Sequence, residues 1–525
     1  MCKKYLFLTL FAFSLINKVV AQLPTAVEIA SKMIVGCNIG NTLEVPGGET
    51  GWGNPVVSQK FVDGMKAAGF NTVRIPCSWD SHADATTQVI APAWLDRVKE
   101  VVDYCLNNGM YAIINTHWDS GWLETNVTLE KQASVNIKQK AYWTQIANYF
   151  KDYDEHLLFA SANEPNVSDA TGMTVLMSYH QTFIDAVRGT GSNNASRTLV
   201  VQGPSTDITL TNTLMNKMPT DQIENRLIAE IHYYTPWNYC GMSKDETWGN
   251  MFYYWGKGYH STTDAAHNAT WGEESDVEKY LGLMKTKFVD KGIPVIMGEF
   301  GASLRTTLSG ANQTLYLASR QYYYKYIVNS AIKKGIIPII WDTGALLNRN
   351  TGAVSDSNTL NGIMLGAGLS FTLTKKINGS GTVSNIPSGT VYSGGKTIKL
   401  TAIPAEGSVF SGWTGDVKDT INPISIQITA NMTVTANFTL TTGIASMNDS
   451  QVKVFPNPVT GNDLSISGLQ GSGKLSLIDM NGKVMQECET VFTPTFQFRA
   501  NVLPGFYILQ IYDGENLIHK KILIK

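Results

Sequence analysis

Between residue 34 and about residue 342 the chain alternates two hydrophobic patterns. One is a short apolar run, met eight times: MIVGCNIGN, FNTVRIP, MYAIINTHW, HLLFASANEP, TLVVQGP, RLIAEIHYY, IPVIMGEFG and IIPIIWDTG. Runs this short and this apolar predict strands buried on both faces, as in a parallel sheet. The other pattern recurs at three and four residues, as in SQKFVDGMKAAG and APAWLDRVKEVVDYCLNNG. It predicts amphipathic helices, here closed by the C-cap glycines Gly69 and Gly109. Eight strand-then-helix units predict an α/β fold, a (β/α)8 TIM barrel, across residues 22–368. A doubly wound open sheet would give no reason for eight repeats.

The pattern changes after residue 368. Residues 369–440 are rich in Thr, Ser, Val and Ile, in short alternating stretches broken by Gly, Asn and Pro, which predicts a small all-β module. LTTGIASMNDS reads as a linker over 441–450. A second small all-β, sandwich-like module is predicted over 451–525, with turns at DMNGK and YDGEN. At the other end, MCKKYLFLTLFAFSLINKVVAQ places two lysines before an apolar stretch and small residues after it. This predicts a secretory leader over residues 1–21, with Cys2 on the wrong side of the apolar stretch for lipid attachment.

Composition narrows the classes. Hydrophobic residues make up 43% and charged residues 16%, as in a globular protein. A formal charge of −2 without a basic run argues against nucleic acid as a partner. The cysteines after the leader (Cys37, Cys77, Cys105, Cys240, Cys488) show no C-x-x-C spacing, so free buried thiols are expected. With 12 Trp and 22 Tyr, the chain has ample material for surfaces that stack on rings.

On a (β/α)8 barrel the chemistry sits where the strands end. The predicted strands end in Asn38 and Asn41, Arg74, His117, Asn163 with Glu164, Gln202, His232 with Tyr234, Glu299, and Trp341. A single such group is explained by solvation; a full ring of them is not. Glu164 and Glu299 follow the fourth and seventh runs, roughly opposite each other across the mouth. Paired carboxylates flanking a bond are what glycoside hydrolysis requires, one protonated and one ionised. Arg74 and Tyr234 are placed to keep Glu299 ionised, and Asn163 to grip a sugar hydroxyl. His117 and His232 read either as site residues or as hydrogen-bonded scaffold. Trp341 reads as core packing or as a floor for a sugar ring. A metal hydrolase would want clustered His and Asp ligands, such as H-x-H on the first strand; GCNIGN has none, and no metal or cofactor is expected.

NTVRIPCSW, INTHWDSGWLE, SANEPN, EIHYYTPW, IMGEFG and IIWDTG, in this order, resemble glycoside hydrolase family 5, the retaining endo-β-glycanases. The opening GCNIGNTLEV with ETGWGNP is similar to the branch holding endo-β-1,4-glucanases, xyloglucanases and mixed-linkage glucanases. The resemblance implies Glu164 as acid/base and Glu299 as nucleophile, supported by Arg74, His117, Asn163, His232 and Tyr234. It implies contact with a β-linked polysaccharide through Asn38, Trp118, Trp122, Trp237 and Trp341. One departure is Trp118, where many relatives carry a second His. Of Trp52, Trp79, Trp118, Trp122, Trp237, Tyr239, Trp255 and Trp271, about half are expected to touch sugar. Glucan or xyloglucan is the expected substrate, mixed-linkage glucan close behind and mannan an outsider.

The middle module resembles a short bacterial β-repeat, in which Trp413 is expected to pack the core rather than bind sugar. VFPNP, LIDMNGKV and LPGFYILQI resemble the C-terminal sorting domain of the type IX secretion system of Bacteroidetes. That implies the secretion machinery as a partner, and a protein released or attached at the outer surface. The mature protein is expected to act as a monomer. The reading from a different class is a surface glycan-binding protein that has lost catalysis, for which a full set of Glu164, Glu299, Arg74, Asn163 and Tyr234 would be superfluous.

Overall fold

The computed structural model describes residues 22–394, 396–428, 431–440, 451–514 and 517–525. The expected leader and linker lie outside these residues. No helix among the described residues is long and apolar enough to cross a membrane.

All eight predicted runs are strands: β1 (Gly36–Asn38), β2 (Thr72–Ile75), β3 (Tyr111–Asn115), β4 (Leu157–Ala160), β5 (Leu199–Gln202), β6 (Leu227–Tyr233), β7 (Val295–Phe300) and β8 (Ile336–Ile340). They pair in parallel, in chain order, into a closed barrel. The helices form for local reasons. Gln59–Ala67 is capped by the Ser58 hydroxyl, which accepts the Phe61 N–H at 3.3 Å. It closes with Gly69 at φ +105° donating to Lys66 O, and Phe70 N–H reaching back to Met65 O. Pro92–Asn107 ends the same way on Gly109, so both predicted glycines serve as left-handed stops.

Alternation divides each strand between two cores. Cys37, Val73, Ala112, Phe159, Val201 and Ile231 point outward to the helices. Ile113, Leu158, Val200, Ile228, Ile296 and Ile337 fill the barrel's lower interior, with Ile29 and Met33 packed against them. Higher in the same interior the apolar series gives way to Arg74, Gln202 and Glu230, all fully buried. The barrel is therefore a packed plug whose top layer is ionic.

After the barrel, seven strands between Ser370 and Leu440 form a three-stranded and a four-stranded sheet. Seven more between Lys453 and Ile524 form a second pair of sheets around Leu464, Ile466, Leu475, Leu477, Leu509 and Ile511. The chain divides into two compact units, the first holding the barrel and most of the middle module, the second the C-terminal module. Cys37, Cys77, Cys105 and Cys240 are buried free thiols, and Cys488 is a half-buried one.

Candidate active site

The site begins at Arg74, whose side chain rises through the barrel interior from β2. Its Nη1 donates to Asn38 Oδ1 and to Glu299 Oε1, both at 3.0 Å, and its Nη2 to Asn163 Oδ1 at 2.7 Å. Its Nε lies 2.9 Å from Glu230 Oε1, an ion pair at contact distance but poorly aligned as a hydrogen bond. One guanidinium thus ties β1, the β4 tip, β6 and β7 together. Asn38 was expected to touch substrate. Instead it is fully buried, with Nδ2 spent on Gly298 O and Ile340 O and Oδ1 on Arg74.

Glu299 reaches this cluster through a local irregularity. Strict alternation from Ile296 would turn residue 298 inward and residue 299 outward. The β6–β7 register slips between Ile231 and His232, so that Ile231 faces Met297 and His232 faces Glu299. Two residues of β7 then oppose one step of β6, and Glu299 joins Gly298 on the inner side. Gly298 has no room for a side chain: a Cβ there would lie 1.9 Å from Glu230 Oε1. Glu299 Oε2 accepts the Tyr234 hydroxyl at 3.0 Å, and the phenol's own acidity is pushed far down by burial and by Glu299.

Glu164 enters from the opposite wall, with 44% of its side chain accessible. His232 Nδ1 is 2.7 Å from Glu164 Oε1 and 3.7 Å from Glu299 Oε2, while its Nε2 is 3.3 Å from Glu230 Oε1. Burial opposes a charged ring, but Glu299, Glu164 and Glu230 outweigh it and raise the His232 pKa to about 10. For Glu164, burial favours the acid, yet the His232 hydrogen bond and the charges of His232 and Arg74 hold its pKa below the ordinary value. His117, buried beside Arg74 and His232, is driven well below its usual pKa and stays neutral. Its ring stacks on Trp341 at 5.5 Å and 6°. Glu164, His232 and Glu299 each present one atom within 4.8 Å of the others.

Two cavities meet at Glu164 and Tyr234. The larger, about 670 Å³, is lined by Glu299, Trp237, Trp341 and Ser303; the smaller, about 260 Å³, by His232, Ser205, Asp207 and Trp271. The arrangement offers one donor-supported carboxylate, Glu299, and one more open carboxylate, Glu164, bonded to a protonated His232, with the larger cavity lined by both.

Against known proteins, residues 37–346 match the cellulase (glycosyl hydrolase family 5) model. The chain belongs to that family. Residues 371–442 match the divergent InlB B-repeat domain, and 453–525 the secretion system C-terminal sorting domain. The chain is similar to a xyloglucan-specific endo-β-1,4-glucanase of Bacteroides ovatus, 37% identical over 65% of this chain and 70% of that protein. It is similar also to endoglucanase A of Paenibacillus barcinonensis, 35% identical over 65% and 90% of the two chains. Among solved structures, the B. ovatus family 5 xyloglucanase in complex with a XXXG heptasaccharide aligns at TM-score 0.62 and 34% identity, covering 67% of this chain and 78% of that one. A xyloglucan-specific β-1,4-glucanase from a ruminal metagenomic library, in complex with XXLG, aligns at 0.62 and 41%, covering 66% and 96%.

In this family 5 barrel the expected aromatics divide evenly. Trp52, Trp118, Trp237 and Trp271 are exposed; Trp79, Trp122, Tyr239 and Trp255 are buried. Trp122 was expected to bind sugar, but its indole donates to Asp119 Oδ2 at 3.1 Å and packs edge-on against Tyr142. It supports the loop from beneath. Trp118 sits above at φ +38°, and Asp119 and Ser120 follow at +49° and +59°. Asp119 holds this strained turn by accepting the N–H groups of Trp79, Asp80 and Ser81.

Two buried carboxylates escaped the strand-tip reading. Glu230 lies mid-strand, two residues before His232 and hence on the same face; a charge inside an otherwise apolar run was the available signal. Glu124 closes the INTHWDSGWLE motif after the Trp118 turn, a loop position that a search of strand ends passes over.

Proposed function

We propose that the chain hydrolyses internal β-1,4 bonds of a glucan backbone, xyloglucan first, by a retaining double displacement. The observation that carries this is the approach of Glu164 and Glu299 to within 4.8 Å from opposite walls. Retaining glycosidases hold their carboxyl groups about 5–5.5 Å apart, and inverting ones about 6.5–9.5 Å, to admit a water.

Glu299 is the nucleophile, since Arg74 and Tyr234 complement its negative charge and aim it. Glu164 is the acid/base. The proton it needs is carried by His232 across the 2.7 Å bond. A sugar chain that covers the exposed Glu164 side chain removes water from it and so favours the neutral acid. Glu164 then gives the proton to the glycosidic oxygen as Glu299 attacks the anomeric carbon. In the second step Glu164 takes a proton from water, and that water's oxygen displaces Glu299. Asn163, oriented by Arg74, meets the hydroxyl beside the anomeric carbon.

Cavities on both sides of Glu164 suit a chain cut internally, and the two xyloglucanases aligned above favour a branched glucan as substrate. The sorting module directs the protein through the type IX machinery to the outside, where it acts as a monomer, released or surface-attached. The test is reducing-sugar release from xyloglucan, mixed-linkage glucan and mannan by the wild type and Glu299→Gln. Cleavage of xyloglucan by the wild type, lost by orders of magnitude in the variant, supports the reading. A preference for mannan overturns the substrate. A variant as active as the wild type overturns the nucleophile, and two inert proteins would point to glycan binding alone.

A further inference from the structure

The Asn163-Glu164 tip is held by a third carboxylate. Glu124 is only 8% exposed, and its Oε1 accepts the backbone N–H of Trp118 at 3.0 Å and that of Glu164 at 3.2 Å. The Asn163 side chain hydrogen-bonds the same carboxylate, and Glu124's carbonyl accepts the Asn166 N–H at 2.9 Å. Every residue from 163 to 166 except Pro165 is therefore fastened to Glu124. No cationic side chain among the described residues pairs with it. A buried carboxylate without a counter-ion is costly, and a glutamine could accept the same two backbone hydrogens without that cost.

We infer that Glu124 is a positioning residue for Glu164. It clips the acid/base to the Trp118 turn and fixes a negative charge beside the carboxyl group that must hold a proton. This inference rests on Glu164 being the acid/base. Like charges held close disfavour ionisation of either, so the charge on Glu124 works against the groups that pull the proton off Glu164. The groups that pull it off are His232 at 2.7 Å and Arg74 from β2; the carboxylates of Glu230 and Glu299, from β6 and β7, oppose them, and the Tyr234 phenol beside them stays neutral. Burial and the neighbouring Glu164 push Glu124's own pKa up, against its hydrogen bonds from Glu164, Asn163 and Trp118. The same clip couples an exposed aromatic, Trp118, to the reacting group.

The test uses the full-length protein with two substrates. Xyloglucan needs its leaving oxygen protonated; 2,4-dinitrophenyl β-cellobioside does not. Glu124→Gln is expected to lower kcat/KM on xyloglucan about 10-fold and on the aryl substrate less than about 3-fold. The basic limb of the xyloglucan pH profile should move down by roughly half a unit to one unit. Equal losses on both substrates with an unmoved limb would overturn the proposal and leave Glu124 as scaffold. Glu164→Ala is the control: if it too lacks dependence on the leaving group, the acid/base assignment fails rather than the role of Glu124. Should Glu124→Gln not fold, Glu124→Asp, which retracts the charge by one methylene, carries the same comparison. Loss confined to xyloglucan supports the proposal, and equal loss overturns it.

Discussion

A single methyl group at Gly298 should break the ionic layer of the barrel. The φ of Gly298 lies outside the left-handed region, so Gly298→Ala carries no backbone penalty and the cost is steric. The new Cβ would meet Glu230 Oε1 at 1.9 Å, Cδ at 2.7 Å and Cγ at 3.0 Å. Real contacts begin near 3.0 Å, so the oxygen must retreat by about 1.1 Å, the difference of the two figures. That oxygen is also the one facing Arg74 Nε at 2.9 Å and His232 Nε2 at 3.3 Å, and Gln202 holds the other oxygen of the carboxylate. Over-packing costs about 1–3 kcal/mol and a buried pair that loses a partner about 3–5. Here both partners remain but separate, so about 2–4 kcal/mol is expected, or, for a barrel of this size, a Tm lower by roughly 3–6 °C. Arg74 also aims Glu299 and Asn163, and a displacement near 1 Å at the chemistry costs on the order of 100-fold in rate. Calorimetry and kcat on xyloglucan measure both effects. The decisive form is a cycle with Glu230→Ala, which removes the obstructing oxygen: adding Gly298→Ala in that background should cost little more. Strict additivity, or a single variant that melts and turns over like the wild type, would refute the steric argument.

Other expectations follow from the same geometry. His232 is raised from 6.5 to about 10, so its contribution to stability is complete below pH 6.5 and lost as pH climbs through about 10. Denaturation midpoints should fall across that window, and His232→Asn should flatten the slope. Glu164, held below its ordinary value, acts with the opposite sign and loses its contribution on acidification. The first product of xyloglucan cleavage, followed by NMR before mutarotation, should be the β-anomer; an α-anomer would demand inversion. Trp413 is 2% exposed, its indole bonded to Ile421 O at 3.0 Å and its ring near Phe410, so Trp413→Ala should destabilise the middle module by about 3–5 kcal/mol and leave polysaccharide retention unchanged. Chelation with EDTA should leave the rate intact, since a protonated His232 between Glu164 and Glu299 is no metal ligand; loss of activity restored by a divalent ion would overturn that.

The eight strands, the glycines that stop their helices and the ring of polar tips were legible because each depends on neighbours close in sequence. A run apolar on both faces must be wall, and a wall that ends in Asn163-Glu164 must end at a rim. Asn38 and Trp122 depart from expectation for one reason. Residue type and position name a candidate, but how much of it remains open depends on loops that arrive from elsewhere in the chain. Asn38 exhausts its hydrogen bonds on β7, β8 and Arg74, and Trp122 lies under the turn that lifts Trp118.

The barrel, the family and the candidacy of Glu164 and Glu299 were readable along the chain. Period, spacing and motif order are properties of the chain taken in one dimension. That Glu299 faces inward depends on a register slip against β6, which alternation along β7 would contradict and which exists only between the paired strands. The same holds for the room that Gly298 leaves for Glu230 and for the bond from Glu164 to Glu124, since both contacts join residues dozens of positions apart. Register and burial are relations between segments, and their energies exist only once the segments have met.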